Sequence, residues 1–244
     1  MINQIRLLTA LSLGLFVLGG SAVAGVVGSA HDLTTINANT NQVCVFCHTP
    51  HGSDSTVTAA PLWNKALPTD TYTEYSSSTM DGTASLTNSV SLACLSCHDG
   101  ANAVDTVINA PTSVTKTYNY TAGGAVIGGV AGTNMATTNP VPAVAGDAAS
   151  LQNDHPVSTP YGGGGAAFGA NVAAGATTDP AFTAVVGSGG ATGTSKVGVL
   201  PLYNKGDVAF VECASCHDPH DNTNVPFLRV SSASSAICTT CHVK

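Results

Sequence analysis

The eight cysteines of this chain fall into four pairs of one spacing, and a histidine directly follows every pair. The motifs are Cys44-Val45-Phe46-Cys47-His48, Cys94-Leu95-Ser96-Cys97-His98, Cys213-Ala214-Ser215-Cys216-His217 and Cys238-Thr239-Thr240-Cys241-His242, and no cysteine is left over. C-x-x-C-H is the attachment signature of c-type haem. Two thiols three positions apart lie on one side of a helical turn, where both can form thioethers to the vinyl groups of one porphyrin. The next residue, histidine, then binds the iron from one face. With 8 His in 244 residues, composition alone gives a histidine after all four pairs roughly once in a million. Disulfide pairing gives no reason for the histidine. Eight thiolates and four imidazoles would fill two or three zinc sites, but zinc does not require the histidine to follow directly. A thioredoxin-like redox motif would occur once. The expected cofactors are therefore four covalently attached haem c groups, held by Cys44, Cys47, Cys94, Cys97, Cys213, Cys216, Cys238 and Cys241, with His48, His98, His217 and His242 as proximal iron ligands.

Four histidines remain: His31, His51, His155 and His220. Methionine, the alternative sixth ligand, is supplied beyond Met1 only by Met80 and Met135, too few to cap four irons. Bis-histidine ligation throughout is the economical expectation, with low-spin, low-potential haems and no open coordination position. His51 and His220 sit in matching contexts, His48-Thr49-Pro50-His51 and His217-Asp218-Pro219-His220. The proline stops the haem-binding turn from continuing as helix, so each second histidine is expected to cap a neighbouring haem rather than its own. His155, in Asn153-Asp154-His155-Pro156-Val157, is expected to be oriented by Asp154 or a nearby carbonyl. His31 is expected to bind a haem in its own or another chain.

Composition explains why cofactors must organise the fold. Only 9% of residues are charged and 5% aromatic, with 26 Gly and 12 Pro. A coiled coil, a basic nucleic-acid binder and a conventional large core are all excluded. Haem is a large apolar plate that supplies the missing buried surface, and folding should depend on its attachment. The expected fold is mostly irregular coil, with short helices at the haem motifs and few short strands, wrapped around a stacked tetrahaem chain.

Residues 1–24 read as a cleaved signal peptide: Arg6, the apolar run Leu7–Leu18, then Ser21-Ala22-Val23-Ala24. The run is too short and too broken by Gly14, Gly19 and Gly20 to be a retained anchor, so export without a stable membrane anchor is expected. Removing Arg6 takes the formal charge of -7 one unit lower, which disfavours nucleic acid as a partner. Three further segments follow: an N-terminal two-haem segment 25–120, a Gly/Ala/Ser/Thr-rich loop region 121–198 holding His155, and a C-terminal two-haem segment 199–244. The halves carry a degenerate repeat, in which Pro61-Leu62-Trp63-Asn64-Lys65 is echoed by Pro201-Leu202-Tyr203-Asn204-Lys205. In the middle segment, Ala125-Val126-Ile127 and Phe182–Val186 are expected to form short irregular strands.

The run Cys44–Gly52, the Pro61–Lys65 segment, Tyr75–Met80, Cys94–Gly100, Asn153–Val157 and Glu212–His220 together resemble the doubled C-x-x-C-H multihaem cytochromes of respiring bacteria. More narrowly, the pattern resembles the secreted tetrahaem cytochromes of metal-reducing bacteria that polymerise into extracellular filaments. The resemblance covers roughly half of the exported chain. It implies bis-histidine ligation, a continuous haem stack, and end-to-end self-association in which a histidine of one subunit completes a haem of the next. His31, near the exported N-terminus, is the expected donor in trans. The expected function is electron transfer without bond chemistry, in an extracellular or cell-surface filament that meets redox proteins and extracellular electron acceptors. A soluble monomeric periplasmic shuttle is the alternative. A multihaem reductase would need an exchangeable iron position, which four spare histidines argue against, so no enzymatic activity is expected. A structural or adhesive exported protein would explain the Gly-rich middle and leave the four motifs idle.

Overall fold

The computed structural model describes residues 25–35, 41–56, 60–68, 71–80, 82–99, 107–109, 150–152, 154–164, 181–183, 185–187, 195–206 and 208–243. The leader 1–24, the run Ala125-Val126-Ile127 and most of the Gly-rich middle lie outside them.

All four C-x-x-C-H motifs lie on helical turns. Val43–Phe46 is a short 3-10 helix, Ser91–His98 is helix α1, Cys213–Cys216 is α2, and Ala236–Cys241 is α3. The backbone N–H of His48, His217 and His242 each reaches the carbonyl of the first cysteine of its motif, at 2.9, 3.0 and 2.9 Å. An i to i-4 bond is what sets the histidine one turn from that cysteine and keeps both thiols on one side.

The remaining regular structure is a small antiparallel sheet: Thr159–Pro160 (β1), Val186–Gly187 (β2), Ser195–Val197 (β3), Leu200–Lys205 (β4) and Val208–Val211 (β5), in the order β1-β5-β4-β3-β2. β3 and β4 are joined by a two-residue hairpin whose first position is Gly198 at φ +56, and β4 and β5 by one that begins with Gly206 at φ +61. Both angles lie where the absence of a Cβ is an advantage. Alternation along the strands turns Val197, Leu200, Leu202 and Ala209 inward. Tyr161, Val185, Val197, Leu202 and Ala209 form one core cluster, with Phe182, Val211 and Cys241 packed against it. The Tyr161 hydroxyl also lies 2.8 Å from the Thr183 carbonyl and 3.1 Å from the Cys241 carbonyl, so the last C-x-x-C-H turn is fastened to the sheet. The second cluster is smaller: Leu86, Leu95 and Leu151, flanked by Tyr72, Leu92 and Val157, seat α1.

The two copies of the Pro-Leu-aromatic-Asn-Lys repeat do not share a conformation. Pro201–Lys205 is strand β4. Pro61–Lys65 is irregular, with Trp63 bridging both His48 and Asp54 and with Asn64 bonded to Val45, Asn109 and Cys47. The segments of the chain are also interleaved. Ser85 N–H reaches Ser158 at 2.8 Å, Lys205 Nζ reaches the Ser85 carbonyl at 2.7 Å, and Leu151 N–H reaches Thr73 at 2.8 Å. No helix among the described residues is long and apolar enough to cross a membrane.

Candidate functional site

Three spare histidines face three motif histidines. His220 stacks opposite His48 with ring centres 6.0 Å apart and planes 19° from parallel. His31 stands edge-on to His98 at 6.0 Å, and His155 edge-on to His242 at 6.5 Å. Metal–imidazole bonds of about 2 Å put the centres of two axial rings roughly 6 Å apart across one iron. The three separations therefore fit two imidazoles sharing a haem iron.

A backbone carbonyl fixes the tautomer of His48, His217, His155 and His31. His48 Nδ1 lies 2.8 Å from the Pro61 carbonyl, His217 Nδ1 2.9 Å from Pro226, His155 Nδ1 3.0 Å from Pro156, and His31 Nδ1 3.5 Å from Pro219. A carbonyl only accepts, so Nδ1 holds the hydrogen and Nε2 keeps the lone pair that iron requires. For His155 the orienting acceptor is the Pro156 carbonyl. Asp154 has a buried Oδ2 that finds no hydrogen-bond partner among the described residues, and burial raises its carboxyl above the usual range. Burial also lowers the His31 imidazole, with the nearby His220 and His217 adding to the effect against the opposing Pro219 bond. A ligand histidine must be neutral, so this shift favours metal binding.

Neighbouring side chains complete the settings. Phe227 stacks on His31 at 4.3 Å, Trp63 stands edge-on to His48 at 6.0 Å, and Phe182 tilts against His242 at 4.9 Å. Arg229 staples the third motif: its Nε donates to Ala214 at 2.9 Å, its backbone N–H to Cys216 at 2.9 Å, and Nη1 pairs with Asp218 at 2.9 Å. None of these partners lies within a C-x-x-C-H-x-P-H pattern, and composition carries no mark of them. The repeat at Pro61–Lys65 was the one sequence signal that led toward Trp63.

His51 and His217 differ from the other six in one respect: among the described residues neither stands opposite another imidazole ring. His51 is held by its backbone, with Asn109 Nδ2 donating to its carbonyl at 2.8 Å.

All eight cysteines are free thiols. Burial pushes the Cys47 thiol up to about 12 and the Cys241 thiol up to about 11. The Cys94 thiol is raised first by its hydrogen bond with Cys213 and then by burial. Among the described residues no group of three or more His, Cys, Asp or Glu side chains is placed to hold a metal ion. The donor set fits haem c instead: paired thiols on a helical turn, an imidazole one position on, and for three motifs a second imidazole at axial spacing. The Trp63 Nε1 beside His48 is buried without a hydrogen-bond partner. Such a donor calls for an acceptor, and haem propionates are acceptors.

Residues 206–244 match the family model described as doubled CXXCH motif (Paired_CXXCH_1). No curated protein matches the chain. The matched segment contains α2 and α3 with their four thiols and two histidines. Its doubled C-x-x-C-H motif indicates covalently bound haem c and is consistent with a multihaem c-type cytochrome in electron transfer.

Proposed function

We propose that this chain is an exported tetrahaem c-type cytochrome that transfers electrons and polymerises into an extracellular filament. Haem iron supplies one-electron exchange between its ferric and ferrous states, and the protein contributes spacing, ligation and exclusion of water. The observation that carries the reading is the trio of imidazole pairs at 6.0, 6.0 and 6.5 Å. On this reading His220 caps the first haem, opposite His48, and His31 caps the second, opposite His98. His155 caps the fourth, opposite His242. Having a place opposite His98, His31 serves its own chain.

The third haem, on His217, then takes its sixth ligand from elsewhere, and the one spare histidine left is His51. Exposed Ile108 precedes Asn109, which grips the His51 carbonyl, exposed Leu62 bonds through its backbone to Thr49, and exposed Val225 precedes Pro226, whose carbonyl meets His217 Nδ1. A second copy of the chain presenting His51 to His217 would bury both apolar patches and complete the ligand set. Repeating that contact head to tail makes an open chain.

The test combines haem counting with spectroscopy. Mass spectrometry and the pyridine haemochrome should give four haems per polypeptide. The assembled ferric protein should be wholly low-spin, whereas a dissociated monomer should show one high-spin haem that binds carbon monoxide. Fewer than four haems, or several high-spin irons in the assembled protein, would overturn the tetrahaem bis-histidine reading. Discrete monomers with fully low-spin spectra, seen by electron microscopy and resonance under all conditions, would replace the filament with a monomeric shuttle.

A further inference from the structure

A buried carboxylate joins the second and third haem turns. Glu212, whose side chain is 0% exposed, immediately precedes Cys213. Its Oε2 accepts from Ser89 Oγ at 2.6 Å and from Ser91 Oγ at 2.6 Å. Its Oε1 faces Lys205 Nζ at 3.4 Å. Ser91 opens α1, three residues before Cys94, and its Oγ accepts the Cys213 backbone N–H at 3.0 Å. Ser89 Oγ in turn accepts the Ser91 N–H at 3.1 Å. Ser158 Oγ lies 3.4 Å from Oε1 but gives its one hydrogen to the closer Ser85 carbonyl, which leaves the Oε1 charge to Lys205. The Cys94 and Cys213 sulfurs lie beside each other.

Taking a carboxylate out of water is costly unless every lone pair finds a partner, and this chain has only 14 acidic residues to place. Here the carboxylate sits between two haem-attachment turns from opposite ends of the sequence, with a hydroxyl of one turn bonded to the backbone of the other. Each partner of Glu212 on the α1 side is a hydroxyl, so its charge is neutralised only from the Lys205 side. Net negative potential therefore remains toward Cys94 and Cys213.

We propose that Glu212 is a positioning residue with two effects: through Ser91 it fixes the relative orientation of the haems on Cys94/Cys97 and Cys213/Cys216, and as a buried anion it lowers the reduction potentials of both. This rests on the haem assignment proposed above. The experiment uses the full-length holoprotein with Glu212→Gln and Ser91→Ala. Haem content by mass spectrometry tests the haem assignment alone, because a wild-type protein without haem at these cysteines would sink that assignment before any variant is compared. Glu212→Gln keeps the shape and removes the charge, so two of the haem midpoint potentials should shift upward in a spectroelectrochemical titration. Ser91→Ala keeps the charge and cuts the tie to Cys213, so the split Soret circular dichroism of closely coupled haems should lose amplitude. Unshifted potentials in Glu212→Gln, or an unchanged Soret couplet in Ser91→Ala, would overturn the proposal even if either variant melted at a lower temperature. Should Glu212→Gln fail to mature, Ser91→Ala, which removes one hydroxyl, still decides the geometric half.

Discussion

Iron ligation asks two things of a histidine: a free Nε2 and a ring held in place. At His48, His217, His155 and His31 both follow from a carbonyl on Nδ1, and in every case that carbonyl belongs to a proline, namely Pro61, Pro226, Pro156 and Pro219. His155 makes the consequence measurable. It is exposed and held by one hydrogen bond from Nδ1, so His155→Ala should leave the rest of the chain folded. It should convert the haem opposite, on His242, from low-spin to high-spin and open it to carbon monoxide. A spectrum unchanged by that substitution would remove His155 from the ligand set. At this scale much was legible in the sequence, because thiol pairs and the following histidines are local in the chain and their spacing is the chemistry. The pairing of spare with motif histidines was not, since His31 meets His98 and His220 meets His48 through the fold. The terminal position of His31 suggested a donor in trans, and nothing local signals the Phe227 ring on which it stacks.

Among the elements, the helical turns are dictated by the motifs and the sheet is dictated by glycine and alternation. Gly198 shows the coupling between them. Its φ of +56 is unfavourable for an L side chain, and a Cβ there would lie 3.1 Å from Thr240 Cγ2 in α3. Gly198→Ala should therefore destabilise the β3–β4 hairpin by about 1–2 kcal/mol from the backbone alone. Thermal melting should show a lower midpoint, and the His242 haem should respond before the others because α3 is displaced. The sheet was hard to foresee because its strands are short and rich in residues that also suit loops: Val186–Gly187 is two residues long, and Thr159–Pro160 includes a proline. Periodicity cannot declare itself over two positions. The Pro-Leu-aromatic-Asn-Lys repeat carries the same lesson, being strand in one copy and irregular in the other, because β4 has β3 and β5 to pair with while Pro61–Lys65 instead packs around His48.

For the whole molecule, 9% charged residues and, among the described residues, two small hydrophobic clusters fit a chain in which bound cofactor would supply much of the burial. Low charge also lowers the repulsion that copies of a chain must overcome to associate. His51→Ala tests the association. It should leave each chain folded, because the ring is exposed and Asn109 grips only the backbone at that position. Filaments should be lost in electron micrographs, and one haem per chain should become high-spin. Intact filaments with unchanged spectra would rule out His51 as the bridging ligand.

The His48–His220 pair also imposes an order in time. If the chain is exported N-terminus first, as proposed, His31 emerges before His98 and His155 before His242, so those two irons would find their second imidazole waiting. The first iron would not, because His220 lies beyond the third motif. On the proposed ligation the earliest haem would thus wait longest for its second imidazole, because His31 and His155 have already emerged when His98 and His242 arrive. Until His220 arrives, that haem would stay open to small ligands and oxidants, and closure of the His48–His220 pair would come before the fourth motif is delivered.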